Sequence, residues 1–133
     1  MKNTIHGIAC VVVNKEGKIL LLKRSPDKKT FPNKWFVIGA YPLNENDDFE
    51  NKVHIELVDE IGHDGKIIKS GKVVKVEVGD QVINIHTFLA EASSREIKLN
   101  NEHTEFEWMD PQKIKRFDIV PGTYEMVDSL LKK

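Results

Sequence analysis

The sequence predicts a mixed α+β domain, in which a β-sheet packs against a central helix and a C-terminal helix. Three observations predict this class: two apolar strand-like runs near the start of the chain, one amphipathic stretch with helical spacing, and alternating strand-like segments after it. A chain of 133 residues fits one domain, 1–133, which is large enough to bury a core without disulfides or structural metal.

The first strand-like runs are Ile8–Val13 and Lys18–Arg24, separated by a short turn that contains glycine. Because both runs are apolar almost throughout, we expect an antiparallel hairpin in the middle of the sheet, buried on both faces. A loop rich in proline and lysine follows, and then Trp35–Ala40 is predicted to form one short buried strand. Tyr41–Asn46 is predicted to be a loop that leads into the central helix.

The central helix is predicted to span Asp47–Gly62. Asp47 or Asp48 is a suitable N-cap, because a short side-chain oxygen accepts a hydrogen bond from a free backbone N–H of the first turn. Gly62 suits a left-handed C-terminal cap. Apolar residues at every fourth position predict the buried face of this helix: Phe49, Val53, Leu57 and Ile61.

The same helix carries a group of acids. Glu56, Asp59 and Glu60 lie at positions i, i+3 and i+4, so a helix gathers them into an arc of roughly 100°. Like charges at this spacing repel one another, and a divalent cation would offset the repulsion because hard cations take oxygen ligands. The alternative interpretation is that these acids are solvated at the helix surface, which is the usual situation of charged residues.

The second half of the chain is predicted to add strands and two helices. Three strands are predicted: residues 66–78, Gln81–Ala90 and Thr104–Met109. In the last of these, Phe106 and Trp108 are predicted to point inward. Two helices are predicted to follow: Asp110–Arg116, where proline occupies an early position, and Thr123–Lys132, which has one apolar face.

Composition excludes several classes of protein. The formal net charge is −1 with acidic and basic residues mixed, which argues against a general nucleic-acid binder. The longest apolar runs are too short to span a bilayer and the N-terminus lacks the features of a secretory signal, so we expect a cytoplasmic protein without membrane association. Cys10 is the single cysteine and is expected to be a small buried residue.

The order of these parts resembles the Nudix hydrolase family over essentially the whole chain. The signature of that family is Gly, five residues, Glu, seven residues, then Arg-Glu-U-x-Glu-Glu-x-Gly-U, where U is a bulky aliphatic residue. The matching half here reads Ile55-Glu56-Leu57-Val58-Asp59-Glu60-Ile61-Gly62-His63. The segment from Trp35 to Gly39-Ala40 is similar to the family's Trp-x-x-Pro-Gly-Gly. The resemblance implies a Nudix-like α/β/α sandwich with a mixed sheet.

The signature departs from the family pattern at several positions. Ile55 replaces the arginine that usually braces the helix carboxylates, and Asp47 replaces the first glutamate. Tyr41 stands six residues before Asp47 where the spacing calls for glycine, and His63 replaces the last aliphatic residue. These departures leave open a Nudix domain that binds a nucleotide or a protein partner without catalysis. An isomerase of isopentenyl diphosphate type shares the fold but needs a reactive cysteine in its pocket, a placement that Cys10 does not match.

The resemblance implies hydrolysis of a nucleoside diphosphate linked to another moiety, in a nucleoside triphosphate or a nucleotide sugar. It implies Mg²⁺ or Mn²⁺ held by Glu56, Asp59 and Glu60, with the carbonyl of Gly39 or Ala40 as a further ligand. Glu56 and Glu60 would then be catalytic as well, because the metal neutralises phosphate charge and activates the attacking water. It also implies that the substrate is a small molecule of nucleotide type. A homodimer is left open, because many relatives are dimers.

Residues outside the signature complete the predicted site. By the same resemblance, Glu102 or Glu105 fits a metal-binding or base carboxylate in a loop before a late strand; each is otherwise a solvated acid. Arg24 can pair with a substrate phosphate through its planar guanidinium, or it is a surface cation. Phe31 and Tyr41 can stack on a nucleobase. The remaining predictions concern Trp35 as a core residue, His54, His63 and His86 as non-ligands, and His103 as a minor loop candidate.

Overall fold

The computed structural model describes residues 3–132, in which seven strands form one mixed sheet. The strands are β1 (Asn3–Val13), β2 (Ile19–Arg24), β3 (Trp35–Phe36), β4 (Ile38–Leu43), β5 (Gly65–Val78), β6 (Gln81–Ala92) and β7 (His103–Met109). The helices are α1 (Phe49–Ile61), a 3₁₀ helix (Pro111–Arg116) and α2 (Thr123–Leu131). Within the same residues, no helix is long and apolar enough to cross a membrane.

Strand β1 is the centre of the sheet. It pairs in parallel with β6 and antiparallel with β2 and β4, and the main strand order is β3-β2-β1-β6-β5. The predicted hairpin of β1 and β2 is confirmed. However, β1 begins at Asn3 rather than Ile8, because its residues from Asn3 onward pair in register with β6 from Gln81 onward.

Alternate residues of β1 belong to two different cores. Ile8, Cys10 and Val12 pack with the apolar face of α1, whereas Ala9 and Val11 pack with the apolar face of α2. The sheet therefore lies between the two helices, and the predicted α/β/α sandwich is confirmed. Cys10 is buried, as predicted, and burial raises the pKa of its thiol to about 12.

The prediction of one strand over Trp35–Ala40 followed by a loop was wrong. The segment contains two strands, because Phe36 of β3 pairs with β2 while Ile38 of β4 pairs with β1. The chain passes from one partner strand to the other at Val37, and β4 continues through Leu43. The consequence is that Tyr41 is a strand residue and lies close to β1, where the site is built.

The predicted orientation of Phe106 was also wrong. Its side chain is 39% exposed, although Trp108, two residues further along β7, packs against the core on the α1 side. The alternation placed the two rings on one face of the strand. It could not show that other side chains cover this face of the sheet at Trp108 but leave it open to solvent at Phe106.

Candidate active site

Helix α1 begins, ends and packs as its sequence predicts. Asp48 accepts a hydrogen bond from the Asn51 N–H at 3.1 Å, and Gly62 ends the helix in the left-handed conformation with φ of 88°. The buried residues on its apolar face are Val53, Leu57 and Ile61. This packing fixes the rotation of α1, and Asp59 and Glu60 consequently face the loop at residues 93–102 and the start of β7.

Glu60 is the most unusual of these acids because it is buried. Glu60 is only 2% exposed, and its Oε2 atom has no hydrogen-bond partner among the described residues. Burial, followed by the charges of Glu56 and Glu102, raises the pKa of Glu60 well above its ordinary value. A hydrogen bond from the backbone of Gly39 acts in the opposite direction. An isolated carboxylate is costly to bury, so the surroundings of Glu60 favour its protonated form.

Glu56 and Glu102 line the same cleft, and the charge of each acts on Glu60. Burial and the neighbouring charges of Asp59 and Glu102 raise the pKa of Glu56. Glu102 behaves differently, since a hydrogen bond from Lys28 lowers its pKa; Lys28 Nζ lies 2.7 Å from Glu102 Oε1. Of the two acids proposed from the sequence, Glu102 lines the cleft, whereas Glu105 lies on β7 and pairs with Lys23 at 3.2 Å.

Two further residues, Asn100 and His103, connect the acids. Asn100 donates from Nδ2 to Asp59 Oδ2 at 3.1 Å and to Glu102 Oε2 at 3.2 Å. His103, which the sequence offered only as a minor candidate, is buried at the start of β7 with Nε2 3.5 Å from Glu60 Oε1. Burial lowers the pKa of His103 to about 4, so its ring is neutral at pH 7. The only sequence signal for either residue is its closeness to Glu102.

A cleft of about 560 Å³ opens beside these acids. Its polar lining contains Arg24, Lys28, Thr30, Glu56 and Glu102, and its apolar lining contains Val74, Val76, Val78, Ile83, Ile85 and Met126. The aromatic residues of the lining are Phe31, Phe36 and Tyr41. A cleft of this size, mostly apolar with a few convergent charged groups, has the character of a small-molecule site.

Arg24 is held in a fixed position at this cleft. Its Nε donates to the Thr30 carbonyl at 3.0 Å and its guanidinium donates to Thr30 Oγ1 at 3.1 Å. The same hydroxyl lies 2.8 Å from Tyr41 Oη. Burial lowers the pKa of Arg24, while Tyr41, Glu60 and Glu102 raise it, and a guanidinium remains charged in either case. The structure thus brings Arg24 and Tyr41 together, two residues predicted separately as substrate contacts.

Phe31 also lines the cleft, and its backbone is in the left-handed region with φ of 48°. A bulky residue in this region is a genuine outlier, and such a conformation costs about 1–3 kcal/mol. The neighbouring Asn33 has φ of 63°, which asparagine tolerates more readily. Trp35, by contrast, packs against the α2-side core and contacts Phe117 edge to face, in agreement with its prediction as a core residue.

The acids fit a divalent cation in their chemistry. Glu60 presents an unpaired buried oxygen, and the pKa shifts of Glu56 and Glu60 show that neighbouring charges penalise ionisation in the free protein. Within residues 3–132, no group of three or more His, Cys, Asp or Glu side chains is arranged to hold a metal ion. In the metal-free protein, Asn100 donates to Asp59 and Lys28 donates to Glu102.

The raised pKa of Glu60 predicts how stability depends on pH in the metal-free protein. The unfolded chain releases this proton near pH 4.5, whereas the folded chain keeps it to higher pH. The free energy of unfolding should therefore fall as pH rises from 4.5 through the folded-state pKa, by at most about 1.4 kcal/mol per pH unit. Urea unfolding in chelator at several pH values measures the slope, and Glu60→Gln should remove this component. Equal slopes in the two proteins would contradict the prediction.

Comparison with known proteins gives consistent matches over nearly the whole chain. The profile of the NUDIX domain matches residues 4–130. The chain is similar to the nucleoside triphosphatase NudI of Escherichia fergusonii, with 24% identity covering 87% of this chain and 89% of that protein. It is also similar in structure to the MutT protein from Methanosarcina mazei Go1, with a TM-score of 0.84, 25% identity, and coverage of 99% of this chain and 98% of that one.

A more distant structural relative contains a ligand. The NUDIX domain of Shewanella oneidensis NrtR, solved as a complex with ADP ribose, has a TM-score of 0.79 at 14% identity. The match covers 97% of this chain and 87% of that chain. At this identity the likeness shows a shared fold.

Proposed function

The chain belongs to the Nudix hydrolase family, and from that premise we propose that it hydrolyses a nucleoside diphosphate linked to another moiety, with Mg²⁺ or Mn²⁺. The observation that carries the proposal is the buried carboxyl of Glu60, whose Oε2 atom has no hydrogen-bond partner among the described residues, beside a cleft lined by Glu56, Glu102, Arg24 and Lys28. A buried acid with a strongly raised pKa is costly for the free protein, and such groups cluster at functional sites.

Each side chain has a chemical role in this proposal. Glu56, Asp59 and Glu60 would hold the cation, together with a backbone carbonyl at Gly39. The bound cation supplies Lewis-acid neutralisation of phosphate charge and lowers the pKa of a coordinated water. Glu102 is ionised at neutral pH because Lys28 lowers its pKa, so it can accept a proton from the attacking water. As the new bond from water oxygen to phosphorus forms, the phosphoanhydride P–O bond breaks and the leaving phosphate departs with the bond electrons.

The substrate is proposed at the level of class. The name of the Escherichia fergusonii relative describes a nucleoside triphosphatase, and the NrtR domain was solved with ADP ribose, a nucleotide sugar. Nucleoside triphosphates and ADP ribose both carry a diphosphate next to a ring system. The cleft offers Arg24 and Lys28 to bind the diphosphate, and a mostly apolar surface with three aromatic rings to bind the ring system.

A panel of nucleoside triphosphates, nucleotide sugars and dinucleoside polyphosphates, each with Mg²⁺, Mn²⁺ or chelator, tests the proposal. We expect metal-dependent release of a nucleoside monophosphate from at least one member, with the products identified by chromatography. Release that persists in chelator, or no release from any member, would contradict the proposed hydrolysis.

One observation favours a second candidate, a Nudix domain that binds its ligand without turning it over. Ile55 occupies the position of the family's bracing arginine and is 48% exposed, so it neither braces the acids nor packs in the core. The same panel separates the two functions when nucleotide binding is measured by calorimetry beside product release. Binding without release would support the second candidate.

Phe31 provides a prediction about substrate binding. Phe31→Gly should raise KM by about tenfold, because stacking of a base on an aromatic ring contributes about 1–3 kcal/mol. Stability should not fall, since glycine removes the strain of a positive φ that roughly offsets its own entropy cost of about 1 kcal/mol. Steady-state kinetics and thermal unfolding measure both effects. Asn33→Gly is the matched control, because Asn33 also has a positive φ but is not among the residues of the cleft.

A further inference from the structure

The side chain of Asn100 forms hydrogen bonds with two of the acids, Asp59 and Glu102. One donor hydrogen of its amide points to Asp59 and the other to Glu102, at 3.1 and 3.2 Å. Its Oδ1 accepts the Glu102 N–H at 3.1 Å and lies 3.4 Å from His103 Nδ1. A primary amide has two donor hydrogens and two acceptor lone pairs, so this half-buried side chain uses its full hydrogen-bonding capacity.

These contacts fix which way the amide faces. The two carboxylates can only accept hydrogen bonds, so the NH₂ group must face Asp59 and Glu102. The carbonyl oxygen must then face the Glu102 N–H and the ring nitrogen of His103. With Nδ1–H directed at Asn100, the neutral His103 ring presents its Nε2 lone pair to Glu60, 3.5 Å away. One amide is therefore connected to Asp59 and Glu102 directly and to Glu60 through one ring.

The connection joins two separate elements. Asp59 is in the exposed part of α1, whereas Glu102 belongs to the loop that precedes β7. Without a donor between them these two acids would repel each other, and the arginine that could neutralise this region is replaced by the half-exposed Ile55. The amide supplies donors to both carboxylates without adding a charge that would compete with a cation.

We propose that Asn100 is a positioning residue, which holds the loop acid Glu102 at a fixed place relative to the helix acid Asp59 so that the acids can act on one cation. The inference rests on the proposed metal-dependent function. Partners that orient metal ligands typically contribute 10- to 100-fold to affinity or rate. Asn100→Ala removes the bridge, and Asn100→Asp additionally places a third carboxylate between the two acids.

A titration with Mn²⁺ alone, in which the spectroscopic signal of the free ion is monitored, measures binding without turnover. We expect the dissociation constant to rise about tenfold in Asn100→Ala and to rise less in Asn100→Asp, because the added negative charge attracts the cation. In kinetics we expect kcat to fall by about 10- to 100-fold while KM for the nucleotide changes less than threefold. Asn101→Ala is the matched control, since Asn101 is exposed and adjacent to Asn100, and it should bind Mn²⁺ as the unmodified chain does.

The bridge itself is measured in the metal-free protein by NMR. The side-chain NH₂ signals of Asn100 should shift in Glu102→Gln and in Asp59→Asn. An active chain in which Asn100→Ala binds Mn²⁺ and turns over like the unmodified protein would overturn the positioning role alone. A chain that shows the NMR bridge but neither binds Mn²⁺ nor hydrolyses any nucleotide would overturn the proposed function, and the positioning role with it.

Discussion

Replacing Glu60 with glutamine is expected to lower metal-dependent hydrolysis by about a thousandfold or more while leaving the metal-free protein at least as stable as before at neutral pH. The loss follows because a carboxylate that neutralises the cation contributes several kcal/mol to stabilising the transition state, and about 1.4 kcal/mol corresponds to tenfold in rate. Glutamine has nearly the volume and shape of a protonated glutamate. Since burial and neighbouring acids raise the pKa of Glu60 and so favour its protonated form, the substitution should not disturb packing.

Two measurements on the same protein separate these effects. Steady-state rates at saturating Mg²⁺ or Mn²⁺ report the catalytic loss, and urea unfolding in chelator at neutral pH reports stability. Glu50→Gln makes the same chemical change in the first turn of the same helix, at an exposed position, and should preserve the rate. If Glu60→Gln hydrolysed its substrate at the normal rate, Glu60 would have no part in the reaction. If it failed to fold, the carboxyl would be structural.

The fold was predictable where local patterns coincide with burial. The four-residue apolar spacing of α1 predicts a helix with one buried face, and the uninterrupted apolar run of β1 predicts a strand buried on both faces. Both are observed. The break at Val37 was not predictable, because it depends on β3 pairing with β2 while β4 pairs with β1. Phe106 illustrates the same limit, since a period of two identifies the face of a strand but not what covers it.

The site was predictable in its helical part and less so elsewhere. Glu56, Asp59 and Glu60 are grouped by helix geometry alone, so sequence spacing places them together. Asn100 and His103 reach the same acids from a loop and from the first residue of β7. The path of that loop depends on tertiary contacts, including the bond from the Lys98 N–H to the Ile61 carbonyl at 3.0 Å. The burial of Glu60 is likewise a property of three elements, α1, β4 and β7, which no local pattern encodes.

Arg24 should have the second-largest effect on turnover. Arg24→Gln is expected to lower kcat/KM by about a hundredfold, because charge-assisted hydrogen bonds to a phosphate contribute about 1.5–3 kcal/mol each and 1.4 kcal/mol corresponds to tenfold. The two hydrogen bonds to Thr30 hold the guanidinium before substrate arrives, so little freedom is lost on binding. The substitution also removes a positive charge from the neighbourhood of Glu60 and Glu102.

Two further variants show whether the loss of kcat/KM in Arg24→Gln comes from the lost geometry of the guanidinium or from its lost charge. Arg24→Lys keeps the charge but cannot reproduce the planar pair of bonds to Thr30, so it should recover only part of the lost kcat/KM. Lys23→Gln removes a cation one residue away that pairs with Glu105 outside the cleft, and it should change kcat/KM less than twofold. Full recovery in Arg24→Lys would mean that charge alone matters. An equal loss in Lys23→Gln would show a general field effect and exclude a specific phosphate contact by Arg24.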